Sequence, residues 1–136
     1  LGAQCHLIPG AEDVVKQLSR SSDLALATNG IACVQRSRFA ASSIGSFFRT
    51  TVISDEIGSA KPARAYFREL FSRIGNPDQA DVLMVGDGLS SDIKGGVDFG
   101  IDTCWFNPGR EPGNGEVKPT YEIAELGELL WLVGAG

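Results

Sequence analysis

Short, wholly apolar runs alternate along this chain with longer stretches whose apolar residues recur every three to four positions. The first kind predicts strands and the second helices. After a turn at Leu7-Ile8-Pro9-Gly10, Val14, Val15 and Leu18 recur at helical spacing and predict a helix over Ala11 to Ser19. Ser21-Ser22-Asp23 breaks it. Leu24 to Ala27 is a short strand, ended by a turn at Thr28-Asn29-Gly30. Ile31 to Ile44 predicts a second helix, closed near Gly45, and Thr51 to Ser54 a second strand. Asp55 to Pro62 reads as a loop. Tyr66, Phe67, Leu70, Phe71 and Ile74 share one face of a helix over Ala63 to Ile74. Gly75-Asn76-Pro77-Asp78 stops that helix. Val82 to Val85 is apolar throughout, which suits a strand buried on both faces. A helix follows to about Phe99 and Gly100, then a strand over Asp102 to Phe106. Asn107 to Pro119 is rich in Gly and Pro and predicts an exposed loop. Thr120 to Ile123 predicts an edge strand and Glu125 to Val133 a final helix. Strands alternating with helices predict an α/β fold with a mostly parallel sheet covered on both faces.

Composition narrows the class. A chain of 136 residues is one domain by size, residues 1–136, and 43% hydrophobic residues suffice for a core. The net charge of −5 provides no basic footprint for nucleic acid. Leu129-Leu130-Trp131-Leu132-Val133 is far too short for a membrane span, and no secretory signal is visible. Cys5, Cys33 and Cys104 are odd in number and lack paired spacing, so neither a disulfide framework nor a zinc site is suggested. A reducing cytosol, and hence a cytoplasmic protein, is the expectation.

The chemistry concentrates after the predicted strands. Gly86 and Gly88 bracket Asp87 at the end of one strand, which predicts a sharp backbone turn that leaves the carboxylate exposed. Asp92 follows in the first turn of the next helix. Two carboxylates over one loop suit a hard divalent cation such as Mg2+. The plainer reading is that Asp92 caps a helix and Asp87 fills a turn. Thr28-Asn29-Gly30 offers a hydroxyl and turn N–H groups to phosphate oxygens, or else simply caps a helix. Lys61, fixed before Pro62, would neutralise a phosphate, or else is a solvated surface lysine.

In order and spacing, Thr28-Asn29-Gly30, Ser54-Asp55-Glu56-Ile57-Gly58 leading to Lys61-Pro62, and Gly86-Asp87 through Asp92 to Gly95-Gly96 and Gly100 resemble the haloacid dehalogenase-like (HAD) hydrolase superfamily. The resemblance runs from about Leu7 to the C-terminus. Leu83-Met84-Val85-Gly86-Asp87 and Thr103-Cys104-Trp105-Phe106-Asn107 look like its pyrimidine 5'-nucleotidase branch. It implies a Rossmann-like three-layer α/β/α core and a Mg2+-dependent phosphatase. Thr28, with the Asn29 and Gly30 turn, would hold the phosphoryl group, and Lys61 would balance its charge. Asp87 would ligate Mg2+, and Asp92 would ligate it or orient a ligand. Such a set is apt for phosphoryl transfer, which is mainly positioning and charge stabilisation.

One expected part is missing. The family's nucleophile is the first Asp of an Asp-x-Asp motif, and no two aspartates here stand at i, i+2. The resemblance therefore implies a core without the family's first strand and cap, a C-terminal piece of a phosphatase. Its parent would hydrolyse a small phosphomonoester, such as a nucleoside monophosphate, through an aspartyl-phosphate. This chain alone would be inactive. The strand ending at Thr28 and the strand ending at Gly86 would lose a shared neighbour. They would pair directly, be bridged by Leu1 to Ile8, or accept a strand from another chain, for instance in a homodimer. Two rivals stand beside this reading: a non-catalytic interaction or scaffold relic, and half of a split enzyme. A dinucleotide site is disfavoured because Ser91 stands where Gly86-x-Gly88 needs its third glycine. The spacing of Asp87 and Asp92 excludes an EF-hand.

Overall fold

The apolar runs pair in parallel, as alternation with helices requires. The computed structural model describes residues 10–29 and 45–134. Its helices are α1 (Ala11–Leu18), α2 (Ser54–Ile57), α3 (Arg64–Arg73), α4 (Lys94–Phe99) and α5 (Glu128–Leu132). Its strands are β1 (Ala25–Thr28), β2 (Thr50–Ile53), β3 (Leu83–Gly86), β4 (Asp102–Phe106) and β5 (Tyr121–Ile123). The chain divides into two compact units, one comprising Leu1–Gly58 with Leu126–Gly136 and the other Ser59–Glu125.

In the first unit, β1 and β2 are parallel, with Ala25 opposite Thr50 and Thr28 opposite Ile53. Val52 and Ile53 are fully buried. Helix α1 carries Glu12 and Asp13 in its first turn and Lys16 in its last, each favourable to the helix dipole. Its buried residues are Ala11 and Val14, and it packs against α5, whose Leu129 is buried. The start of the predicted Asp55–Pro62 loop is instead helical. Gly58 adopts φ 72° and its N–H closes α2 on the Ser54 carbonyl at 3.0 Å. A left-handed glycine cap is what lets so short a helix end there. Gly30, and the helix predicted over Ile31 to Ile44, lie outside the described residues.

The second unit holds the sheet β3-β4-β5, parallel throughout, with Gly86 opposite Trp105 and Phe106 opposite Ile123. Helix α3 buries Tyr66, Phe67, Leu70 and Phe71, the face its periodicity predicts. Phe99 of α4 meets the Phe67 ring at 5.7 Å and the Phe71 ring at 4.9 Å. Helix α4 comes this close because Gly95 and Gly96 have no side chains. A Cβ at Gly95 would fall on the Phe67 ring and 3.1 Å from the Pro62 Cα. One at Gly96 would stand 2.6 Å from the Thr103 methyl. At the far end of α4, Gln79 donates to the Phe99 carbonyl at 2.8 Å.

Two polar devices hold the loop from Asn107 to Thr120. The Thr103 N–H donates to the Thr120 hydroxyl oxygen at 3.0 Å, and the Thr120 N–H to the Thr103 hydroxyl oxygen at 3.1 Å. Buried Asn107 donates to the Glu111 carbonyl and the Glu122 carboxylate, and accepts from the Glu111 N–H.

The expectation that the Val82–Val85 run is buried on both faces needs correction. Strand β3 begins one residue later, and Val85 is 36% exposed. Among the described residues β3 has a ladder partner on one edge only, β4. Leu1 to Ile8 lie outside the described residues. No described helix is long and apolar enough to cross a membrane.

Candidate active site

Lys61, Asp87 and Asp92 all belong to the second unit, and the fold gathers them at the C-terminal end of β3. Lys61 lies in a turn closed by the Ala63 N–H on the Ala60 carbonyl at 2.8 Å, with a cis bond to Pro62. Its ammonium reaches the Asp92 Oδ1 at 2.5 Å. The two side chains are 8% and 10% exposed, so this is a buried ion pair and not a solvated surface lysine. The other oxygen of Asp92 accepts from the Gly88 N–H at 3.3 Å. Asp87 stands exposed at the end of β3.

Asp92 is not in the first turn of a regular helix. It sits in a wide turn over Leu89–Ile93 that precedes α4, and the Ile93 N–H reaches back to the Gly88 carbonyl at 3.1 Å. Such i→i+5 turns widen the helical spiral and recur at functional sites. Here the turn drops Asp92 inward, beneath the loop. Neither Gly86 nor Gly88 has positive φ among the described backbone; Gly88 adopts φ −85°. The need for glycine at Gly86 is space. A Cβ there would overlap the Asp92 carboxylate, and one at Gly88 would stand 3.3 Å from its Oδ2. The two glycines wrap the backbone around that carboxylate.

Trp105 closes the arrangement from the neighbouring strand. Its indole N–H donates to the Asp87 carbonyl at 3.1 Å, and its side chain is buried. From sequence, Trp105 reads as part of a strand and of the Thr103–Asn107 stretch that carries a family resemblance, with no role in the site. The signal that points further is the residue type: a tryptophan in a buried strand must find an acceptor for its N–H.

Thr28 and Asn29 lie in the first unit, Thr28 at the end of β1 and half-buried, Asn29 exposed. The Thr28 hydroxyl donates to the Asn29 carbonyl at a long 3.4 Å.

Two carboxylates and one ammonium leave the acidic loop with one net negative charge. Hard oxygen donors at a loop with an exposed carboxylate fit Mg2+, which takes one or two carboxylates and keeps several waters. Asp87 would hold it directly. Asp92, engaged by Lys61 and Gly88, has lone pairs left to ligate it or to orient its waters. Among the described residues no group of three or more His, Cys, Asp or Glu side chains forms a closed metal cage.

A parallel α/β fold with a lysine, two aspartates and a glycine-wrapped loop at one strand end is the architecture of a hydrolase family. The haloacid dehalogenase-like hydrolase model matches residues 1–100, and the chain belongs to that family. YfnB of Bacillus subtilis (strain 168) is 42% identical over 94% of this chain and 54% of its own length. Pyrimidine 5'-nucleotidase YjjG of Escherichia coli (strain K12) is 35% identical over 95% of this chain and 57% of its own. Pyrimidine 5'-nucleotidase PynA of Streptococcus pneumoniae is 35% identical over 96% of this chain and 55% of its own. The chain thus spans little more than half the length of these relatives. A magnesium-bound crystal structure of YfnB superposes with a TM-score of 0.92 at 40% identity, covering 94% of this chain and 56% of that one.

Proposed function

We propose that these residues are the phosphate- and cation-binding side of a phosphatase that hydrolyses a small phosphomonoester, with a pyrimidine nucleoside monophosphate as the leading substrate class. The observation that carries this reading is the buried Lys61–Asp92 pair beside exposed Asp87. A lysine fixed in this way presents positive charge where phosphoryl oxygens gather negative charge, while Asp87 faces the cation. Bound Mg2+ supplies charge neutralisation for the transferring group. Asp92 holds Lys61 in place. On the first unit, Thr28 and the Asn29 turn offer donors of the kind that phosphoryl oxygens accept. The names of YjjG and PynA support the nucleotide class, and the magnesium in the YfnB crystal supports the cation. The buried Cys104 thiol is in keeping with a reducing, cytoplasmic setting.

The 136 residues hold no Asp-x-Asp pair. An aspartyl-phosphate route therefore needs a nucleophile from outside them, in the same protein or in a partner. Titration calorimetry with Mg2+, beside a hydrolysis assay on uridine monophosphate, tests the reading. We expect Mg2+ binding and turnover no faster than the protein-free control. A folded chain without Mg2+ affinity would favour a non-catalytic interaction domain. Turnover by this chain alone would overturn the need for an outside nucleophile.

A further inference from the structure

We propose that Trp105 is the positioning residue of the acidic loop: its indole N–H fixes the Asp87 peptide and so sets where the Asp87 carboxylate stands. This rests on the reading of Asp87 as the cation's ligand.

Asp87 has little to hold it locally. Its neighbours Gly86 and Gly88 lack side chains, and its own side chain is exposed. The other described bonds of the loop grip different groups. The Gly88 N–H goes to Asp92, and the Ser91 and Ile93 N–H groups go to the Gly88 carbonyl. The bond at 3.1 Å from Trp105 is the described contact to the Asp87 peptide that comes from another strand. Trp105 is well placed to act as a fixed post. It is 7% exposed, and its register on β4 puts it opposite Gly86. An indole N–H is donor only, so the bond has one direction and cannot be exchanged by rotation. Packing fixes the ring, the ring fixes the carbonyl, and the carbonyl fixes the carboxylate. The other tryptophan, Trp131, is 83% exposed, so the two indoles are expected to emit at different wavelengths.

The test is Trp105→Phe in the whole chain, which keeps an aromatic ring and removes the donor. Backbone amide exchange at Gly88 and Leu89 is compared with wild type, without metal. Titration calorimetry with Mg2+ alone is then run on both. We expect faster exchange at those amides, unchanged exchange in β4 and β5, and Mg2+ affinity weakened roughly fivefold, the size of one net hydrogen bond. Loop exchange at the wild-type rate overturns the proposal, as does a general rise through β4 and β5, which marks loosened packing. Faster loop exchange beside a wild type that binds no Mg2+ keeps Trp105 as the clamp and sinks Asp87 as the ligand instead. Should Trp105→Phe not fold, Trp131→Phe leaves Trp105 as the single indole. Its emission is expected to shift on saturation with Mg2+, and a silent emission while calorimetry records binding refutes the clamp.

Discussion

The Lys61 ammonium stands 2.5 Å from the Asp92 carboxylate, although the two residues are 31 positions apart in sequence. Both side chains are buried. Removing one partner strands the other charge in a low-dielectric setting. Lys61→Met is therefore expected to cost about 3–5 kcal/mol of stability. Urea denaturation measures it. The double variant Lys61→Met with Asp92→Leu should recover most of that loss, because neither charge then remains. Two single losses that simply add would show that the pair is not coupled.

Asp87 should behave in the opposite way. Its exposed side chain carries little of the fold. Asp87→Asn is expected to leave the unfolding free energy within about 0.5 kcal/mol of wild type. The same change should weaken Mg2+ binding at least tenfold, roughly the lower bound for losing a charged ligand of a hard cation. Calorimetry on a protein shown to be folded separates the two effects.

Gly86→Ala tests the space argument. The added Cβ would overlap the Asp92 carboxylate, a group held from the other side by Lys61. Overpacking at such a site costs about 1–3 kcal/mol. The loss should shrink sharply when Gly86→Ala is combined with Asp92→Ala, since the collision is then removed. A thermal melt of the four proteins in that cycle decides it.

Asn107 is a hub without a charge. Its side chain makes three hydrogen bonds, two of them to the Glu111 backbone. Asn107→Ala leaves the carbonyl and N–H of Glu111, an exposed residue, to find water. We expect a loss of about 1–3 kcal/mol, together with faster amide exchange at Glu111 and Arg110. A stability unchanged from wild type would mean that the loop is held by other contacts.

Much of this arrangement is legible in the order of the residues. The run from Asp102 to Phe106, between Gly100-Ile101 and Asn107-Pro108-Gly109, is β4 to the residue. The aromatic stripe of α3 is equally plain, because four buried residues recur at one helical face. Lys61, Asp87 and Asp92 stand out by type and place. Their relationship does not. A pairing across 31 positions leaves no local pattern, so Lys61 reads as easily as a surface lysine. The wide turn at Leu89–Ile93 reads as the first turn of a helix, since both use the same short polar residues. Gly86 and Gly88 suggest backbone freedom, and only the position of Asp92 reveals that Gly86 is small because a carboxylate occupies the space. The exposure of Val85 depends on which strand edges are paired, which no run of apolar letters encodes.

The paired threonines at 103 and 120 have a consequence for how this protein can change over time. Each backbone N–H is tied to the other's hydroxyl, so the segment between them is a closed ring anchored at its base. Doubling the length of such a flexible ring costs only about 0.6 kcal/mol in closure entropy. Within residues 112–119, past β4 and the bonds that Asn107 makes to Glu111, insertions and deletions need not reach the acidic loop. This exposed stretch is where a peptide tag or a fluorescent label can be spliced in while the acidic loop keeps its form.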